Sequence, residues 1–579
     1  MFLSRIRMRD YRCHASVDIT LGQRTLLIGG NGAGKTSVLE AIDKVLGAGR
    51  RNYGFREQDL APGADELQID LEIRPDDGLT FTAAEHGLFE THVDVEDDVR
   101  EVVRVRAIAG FEDDGVFRSR GVFVKADGNA DGNFDQATRS LLNFFFLPAA
   151  RDARREFDDR AGLWSRLTDL LEAAHDPARL DTLTSAAGQE LVGAVLGEDR
   201  LNELGSTVQR FVSTMYGDTN LEAELRATAV DFRSLMRGTS LVVGRAGQLV
   251  PLTEHSTGVQ TLALFGLFRA FLDTAGGHLV ATGLEEPEIH LAPHVARSLV
   301  ALASESGHQV ILTSHSPAIS DAVPIGEVRV LRRTTVGTVA RALDGDLFDS
   351  EELARIQREL RSVGTEFLFS RAVLLCEGAS ERGALPEFGR KHGVDLDLTG
   401  VSVLSIGGSG FGPYLKLLGP SGFDIPHVVV CDNDAALAKL VQTLDQLGRL
   451  PENVSSKDAL DANSLALLRS AGFFSWTTGD LERYLVGAGG YPFFEEAADF
   501  LYGAGDLARF RASKVSEGVV DDDSEIIGRY VNLRRIRKPE LAAECAARFI
   551  GVPAEVGRLL EFVQELTTLS DPSPGPSDE

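Results

Sequence analysis

Cysteine is scarce in this chain: four in 579 residues, Cys13, Cys376, Cys431 and Cys545, with no paired metal-ligand spacing. That excludes a disulfide framework and makes a zinc site a poor reading. Cys376 and Cys431 close apolar runs and read as packing residues in a reducing compartment. No apolar run approaches ~20 residues, so no transmembrane helix is expected. Met1 leads straight into Phe2-Leu3-Ser4-Arg5-Ile6-Arg7, an edge-strand pattern without a signal peptide's apolar core. A cytoplasmic chain with no membrane partner is the expectation. Positive charge is also in deficit, 59 Lys and Arg against 87 Asp and Glu, for a net charge of -28. A surface coated for generic nucleic-acid binding is therefore excluded, although a local basic groove is not. The run from Arg529 to Lys538 is such a local concentration. There is no internal repeat.

What is present is length and texture. A chain of 579 residues suggests two or three domains, and 43% apolar with 25% charged residues is a globular composition. Residues 1–150 alternate short apolar runs with turns, as in Leu67-Gln68-Ile69-Asp70-Leu71. Residues 151–238 change to helical periodicity, as in Leu163 to Leu171, and strand texture returns at Ser240-Leu241-Val242-Val243. The phosphate-loop and signature motifs described below lie on either side of that block and must share one fold. Residues 1–150 and 239–345 are therefore read as one domain carrying 151–238 as an insertion, an arm for subunit contact or else a lid or spacer. Residues 346–364, with Leu353, Ile356 and Leu360 on one face, form a linker helix, and 365–570 a second α/β domain. The tail 571–579, Asp-Pro-Ser-Pro-Gly-Pro-Ser-Asp-Glu, is too poor in apolar residues to pack.

The first half holds the dispersed parts of an ATP-binding cassette. Gly29 to Thr36 satisfies G-x-x-x-x-G-K-[ST] after the apolar run Leu26-Leu27-Ile28 and opens a helical pattern. Glycines there let backbone N–H groups converge on phosphate at a helix N-terminus. Asn31, Gly32, Gly34 and Ser37 would line the cradle, Lys35 neutralise the β- and γ-phosphates, and Thr36 hold Mg²⁺. A strand ending in Glu285-Glu286 supplies a magnesium-side carboxylate and a water-polarising base, Glu286. Another buried strand ends in Ser314-His315, with His315 toward the γ-phosphate; a satisfied core histidine is the bland reading of a lone His. Ser256-Thr257-Gly258-Val259-Gln260 is a variant signature motif in which Gly258 and Gln260 would reach a nucleotide on a second copy, which implies a homodimer. Glu285 stands where aspartate is usual and Val259 where glycine is usual; both weaken the expectation of efficient ATP turnover. Gln58 is a candidate Gln-loop residue.

The second half holds strand-terminal carboxylates. Val373-Leu374-Leu375-Cys376 runs into Glu377, and Val428-Val429-Val430-Cys431 into Asp432-Asn433-Asp434. In open parallel sheets ligands collect at the carboxyl ends of strands. Glu381 follows Glu377 at helical spacing, and the strand Phe473 to Trp476 precedes Asp480-Leu481-Glu482. Singly, each acid is as well read as a solvated loop tip. Jointly they would repel one another unless divalent cations sat among them. Two ions ~3.5–4 Å apart serve phosphodiester hydrolysis, with Lys538 as the cation for the developing charge.

Glu377-Gly378 followed by Asp432-x-Asp434 resembles a Toprim domain. A RecF/SMC-like cassette ahead of a Toprim domain is similar to the overcoming-lysogenization-defect (OLD) family nucleases, over nearly the whole chain. The resemblance implies an α/β architecture: an ABC-type ATPase with an inserted helical dimerisation region, then a Toprim domain. It assigns metal and lysine motifs to Glu377 with Glu381, Asp432 with Asp434, Asp480 with Glu482, and Lys538. It also implies ATP with one ion, two Mg²⁺ (or Mn²⁺ or Ca²⁺) ions in the Toprim site, and DNA as substrate. Length and layout resemble the class that includes the nuclease subunit of the Gabija anti-phage system, which works with a helicase. Two other readings compete: a non-catalytic DNA-repair ATPase of the RecF type, which needs no acid cluster, and a Toprim nuclease acting on RNA.

Overall fold

The computed structural model describes residues 1–47, 53–76, 78–89, 92–97, 99–139, 142–149, 156, 164, 198–217, 220–226, 240–245, 247–274, 279–304, 307–334, 337–408, 410–456, 460–519, 522–534 and 537–569. Most of the expected helical insertion and the tail 571–579 lie outside the described residues. The chain divides into two compact units, Met1–Arg332 with Val336–Ala340, and Arg333–Thr335 with Arg341–Glu579.

The first unit begins with an antiparallel sheet in the order His14–Thr20, Phe2–Tyr11, Glu66–Arg74, Arg100–Phe111, Phe117–Val124, Ala130–Asn133. Alternation decides which face is buried: Leu67, Ile69, Leu71 and Ile73 are fully buried, and Val103, Val105, Ala107 and Ala109 repeat the pattern on the adjacent strand. These side chains share one core with Val38, Leu39, Ile42 and Val45 of the helix Lys35–Leu46. Each fully buried aliphatic side chain there contributes about 1.5–3 kcal/mol. A second sheet runs Gly337–Arg341, Val328–Thr334, Arg24–Ile28, Gln309–Thr313, Leu279–Glu285, Leu142–Leu147, and its pairs from Val328–Thr334 to Leu142–Leu147 are parallel.

Within the expected insertion, Glu198–Tyr216 is a helix, but Leu221–Arg226 is a strand. It pairs antiparallel with Ser240–Arg245, so residues on both sides of position 238 share a sheet. The alternation of Leu221, Ala223 and Leu225 with Glu222 and Glu224 is the strand period, which the surrounding helical texture hides. The stretch around Leu353 is the helix Ser350–Val363, opened by a capping box between Asp349 and Glu352. Ile356 and Leu360 are its buried face.

The second unit centres on a four-stranded parallel sheet in the order Val401–Ser405, Ala372–Cys376, His427–Cys431, Phe473–Ser475. Ala372–Cys376 is buried at every position, as a strand covered on both faces requires. From Ala372–Cys376 the chain crosses to one neighbour, Val401–Ser405, and then returns to the opposite side at His427–Cys431. That makes the carboxyl ends of Ala372–Cys376 and His427–Cys431 a topological switch point, where a crevice opens. Cys376, Cys431 and Cys545 are buried free thiols, in keeping with a packing role. Among the described residues no helix is long and apolar enough to cross a membrane.

Candidate functional site

In the first unit, strand Arg24–Ile28 delivers the loop Gly29–Gly34 to the start of the helix Lys35–Leu46. Gly34 has φ 87°, and a Cβ there would lie 2.4 Å from the His14 ring, so only glycine closes the turn. Lys35 is buried, and its Nζ donates to the carbonyls of Gly29 at 2.9 Å and Gly30 at 3.1 Å. Burial lowers its pKa to about 8, against the pull of Glu286, Glu285 and Glu288. Thr36 Oγ1 donates to Glu285 Oε1, whose other oxygen accepts from the Ala149 N–H at 3.0 Å.

The parallel register pairs Glu285 with Thr313, so Glu286 and Ser314 leave neighbouring strand ends. Glu286 turns outward at φ 41° and sits 3.7 Å from His315 Nε2. Burial and the nearby Lys35 push the His315 pKa down, so its ring is neutral at physiological pH. Glu288 Oε1 anchors this edge, accepting from Ser314 Oγ at 2.6 Å and from the His315 N–H at 3.0 Å. Sequence reasoning gave Glu288 no role. A buried lysine inside a glycine loop, with a threonine hydroxyl on a carboxylate, fits a nucleotide triphosphate and its divalent ion.

Asn31 and Gly32 are exposed at the loop's rim, and Ser37 is buried. Gly258 and Gln260 lie at the start of the helix Thr257–Thr274. Gln260 Nε2 donates to the carbonyls of His255 at 2.8 Å and Thr253 at 3.3 Å. Its side chain therefore caps its own turn, and among the described residues no contact ties it to Lys35. Gln58 is exposed in the short turn Glu57–Asp59.

In the second unit the switch point gathers the expected acids. Glu377 leaves the end of Ala372–Cys376, and its Oε2 accepts from the Asp432 N–H at 3.2 Å. Glu381, in the first turn of the helix Ala379–His392, is buried and accepts from Trp476 Nε1 at 3.2 Å. Glu482 is buried, accepts from Ser380 Oγ, and lies 3.7 Å from Lys538 Nζ. The helices Ala379–His392 and Lys538–Arg548 approach closely because residue 383 is glycine: a Cβ there would lie 2.1 Å from the Pro539 carbonyl oxygen. That approach sets Lys538 beside Glu482.

Asp434 and Asp480 serve the backbone as well. Asp434 caps the helix Ala435–Gln446 by accepting from the Ala436 N–H at 2.8 Å, and Asp480 caps Leu481–Gly489 by accepting from the Arg483 N–H at 2.9 Å. Both still act on the cluster: Asp434 raises the pKa of Glu377, and Asp480 raises that of Asp432.

Burial first, then the repulsion of Glu381, Glu377, Asp480 and Glu482, pushes Asp432 up to about 8. Burial and Glu482 push Glu381 up to about 7. Lys538, also held by Glu482, Glu381, Asp480 and Asp432, is raised. Asp432 Oδ1 and Glu482 Oε2 are buried without a hydrogen-bond partner. Such groups are costly unless something answers them. Among the described residues no three acidic, histidine or cysteine side chains are already arranged around an ion position. The donor set is nonetheless all carboxylate oxygen, the choice of hard divalent cations, and its two orphaned oxygens fit them.

Sequence reasoning missed Trp476 and Ser380, while its reading of Tyr484 as a structural residue agrees with the packing seen. Tyr484 stacks on Trp476 with centroids 5.5 Å apart, and its hydroxyl accepts from the Glu555 N–H at 2.9 Å. A buried tryptophan needs a partner for its N–H, and that is the signal that points from Trp476 to a neighbouring acid.

Comparison with known proteins follows the same division. Residues 368–434 match the Toprim domain of overcoming lysogenization defect protein-like proteins. Residues 24–321, just over half of the chain, match an AAA domain family whose description names the AbiEii toxin and Type IV TA systems. The OLD nuclease of Thermus scotoductus (strain ATCC 700910 / SA-01) is 25% identical over 457 residues, covering 75% of this chain and 82% of that protein. The Old nuclease of Escherichia phage P2 is 22% identical over 456 residues, covering 70% and 73%. The solved C-terminal region of the Xanthomonas campestris pv. campestris OLD protein is 31% identical, covering 35% of this chain and 98% of that one, at a TM-score of 0.28. An AAA-type ATPase unit followed by an OLD-like Toprim domain places this chain in the OLD family of nucleases.

Proposed function

We propose that this chain is a DNA endonuclease that requires divalent metal and is governed by ATP. The observation that carries the reading is the carboxylate cluster at the switch point, with Asp432 Oδ1 and Glu482 Oε2 buried and unanswered beside Lys538. Two of the relatives are named as nucleases, which supports phosphodiester cleavage as the chemistry.

Glu377, Asp432 and Asp434, with Glu381, Asp480 and Glu482, would hold two Mg²⁺ or Mn²⁺ ions. When bound, such ions activate water and stabilise the leaving oxygen. The chain's own contribution is positional and electrostatic. Lys538 offers a positive charge toward a phosphorane, Trp476 and Ser380 orient Glu381 and Glu482, and burial keeps bulk water from screening these charges. In the first unit Asn31, Gly32, Gly34, Lys35, Thr36 and Ser37 would hold ATP, with Glu285 and Thr36 on its ion. Glu286 and His315 would sense the terminal phosphate. Gly258 and Gln260, at the start of the helix Thr257–Thr274, would contact a nucleotide on a second copy once Gln260 leaves its own turn, so a homodimer or higher homo-oligomer is part of the proposal. A cytoplasmic role in anti-phage defence, beside a helicase partner, is the setting that the family layout suggests.

The test is plasmid nicking. Supercoiled DNA incubated with Mg²⁺ or Mn²⁺, with and without ATP, is expected to be nicked by the wild type at an ATP-dependent rate. Glu377→Ala and Lys538→Ala should abolish nicking and leave ATP binding intact. Retained cleavage in both variants would refute the site, and cleavage of RNA alone would redirect the substrate.

A further inference from the structure

His14 is fully buried in the first unit and has no part in the chemistry proposed so far. It opens the strand His14–Thr20, opposite Tyr11 of Phe2–Tyr11, and this hairpin delivers it to the phosphate loop. Its Nε2 lies 3.1 Å from the Gly34 carbonyl oxygen. A carbonyl can only accept, so Nε2 carries the proton and Nδ1 is bare. Among the described residues that bare nitrogen is buried without a hydrogen-bond partner. Burial above all, opposed by the Gly34 bond and helped by Arg12, pushes the imidazole pKa down to about 4. The ring is therefore neutral at physiological pH. An apolar ring would leave no such nitrogen unanswered, and an unanswered buried nitrogen is costly. What histidine adds in return is one N–H aimed at Gly34.

Gly34 is the place where that N–H has leverage. It caps the helix Lys35–Leu46, and its carbonyl also accepts the Val38 N–H at 3.2 Å. Held by two donors, the carbonyl cannot swing. The peptide unit is planar and trans, so the Lys35 N–H points opposite to the Gly34 carbonyl, and fixing one fixes the other. Lys35 begins the helix, so its N–H has no partner within it. That N–H faces out past the helix N-terminus, where an anion is drawn. The imidazole also fills the space in which a Cβ at position 34 would stand, so it braces the turn by contact as well.

We infer that His14 is a positioning residue for the triphosphate: through the Gly34 carbonyl it holds the Lys35 N–H in the direction of the bound phosphate. This rests on the ATP reading of the first unit and deepens it. His14 touches no phosphate itself. Its contribution is preorganisation, since a donor aimed in advance leaves less of the loop to be ordered on binding. A role confined to packing would need the ring alone; a positioning role needs the Nε2 proton.

The experiment is titration of a fluorescent ATP analogue with Mg²⁺ into the full-length protein, well below each variant's melting transition. His14→Gln places an amide N–H at the reach of Nε2, whereas His14→Phe keeps a ring and has no donor. His14→Phe is expected to weaken binding about tenfold, and His14→Gln to stay within about twofold of wild type. Melting temperature does not discriminate, because packing moves it too; the split in affinity between the two variants does. Wild-type affinity in His14→Phe, or an equal loss in both variants, would overturn the positioning role. If His14→Phe does not fold, His14→Met, which also lacks a donor, takes its place with the same expected loss. A wild type that binds no nucleotide defeats the ATP reading itself, and is told apart from failure of the positioning role by the absence of any signal to perturb.

Discussion

The two units differ in how far they answer buried acid. In the first, the glutamates at the end of strand Leu279–Glu285 are largely answered within the chain, with one oxygen, Glu288 Oε2, buried without a hydrogen-bond partner. Glu285 takes the Thr36 hydroxyl and the Ala149 N–H, and Glu288 takes Ser314 and the His315 N–H. Lys35 feels all three glutamates yet hydrogen-bonds its own loop carbonyls. That site is largely hydrogen-bonded before a ligand arrives, as suits an anion that must only displace weak internal bonds. In the second, the acids mainly face one another. One lysine, Lys538, serves Glu482, and two oxygens have no partner. Like charges gathered at one strand junction are relieved by protons or by an outside cation, and under the proposed function it is ions that complete the second site. A phosphate cradle and an acid cluster of this kind, in one chain, are what the proposed ATP-governed nuclease needs.

The largest effect expected from breaking this contrast is at Asp432. Asp432→Asn removes the charge most repelled by its neighbours, so the metal-free protein should be as stable as wild type or more so. Plasmid cleavage should fall to background. The matched change in the first unit, Lys35→Ala, should abolish nucleotide binding, measured with a fluorescent ATP analogue, and leave metal binding by the second unit unchanged. If Lys35→Ala also lost metal binding, the two sites would not be independent.

A smaller effect is expected at Trp476. Trp476→Phe keeps the ring stacked toward Tyr484 but deletes the N–H that holds Glu381. Loss of such a supporting hydrogen bond typically costs ~10–100-fold in metal affinity or activity. The half-saturating Mn²⁺ concentration should rise, while the circular dichroism spectrum stays the same. An unchanged Mn²⁺ requirement would make Trp476 a packing residue only.

The smallest effect is on stability against pH. The Asp432 carboxyl sits at about 8 in the folded chain against an ordinary 3.8, and Glu381 at about 7 against 4.5. The folded state therefore binds more protons than the unfolded state between these values, and stability falls as pH rises. The contribution is fully present below about pH 4 and is lost as pH passes through 7 to 8. Metal-free protein should melt at progressively lower temperature from pH 6 to 8.5, and Mg²⁺ should reverse the trend. A melting temperature that rises over that range in EDTA would contradict a strained acid cluster.

Much of this was legible in the sequence because the chemistry sits at strand ends. The apolar runs before Lys35, Glu285, Glu377 and Asp432 are short, continuous and closed by a polar residue, which is how a buried parallel strand meets a ligand crevice. What stayed hidden depends on tertiary contact. Nothing local says that Trp476 N–H meets Glu381, because the two are far apart in the chain and meet across the sheet's carboxyl edge. Nor does local pattern reveal that Asp434 and Asp480 cap helices while acting on Glu377 and Asp432, since an acid before a helix reads equally as cap or ligand. The strand Leu221–Arg226 was masked by helical periodicity on its N-terminal side. Gly383 shows the same limit: its packing against Pro539 is what brings Lys538 to Glu482, and a single glycine in a helix carries no mark of that.

The most direct measurement is a calorimetric titration of Mn²⁺ into metal-free, nucleotide-free protein at pH 8, for wild type and Asp432→Asn. Saturable binding to the wild type, lost or strongly weakened in Asp432→Asn, is expected if these carboxylates exist to hold cations. A wild type that binds no ion, or an Asp432→Asn protein that binds as well as wild type, would contradict it.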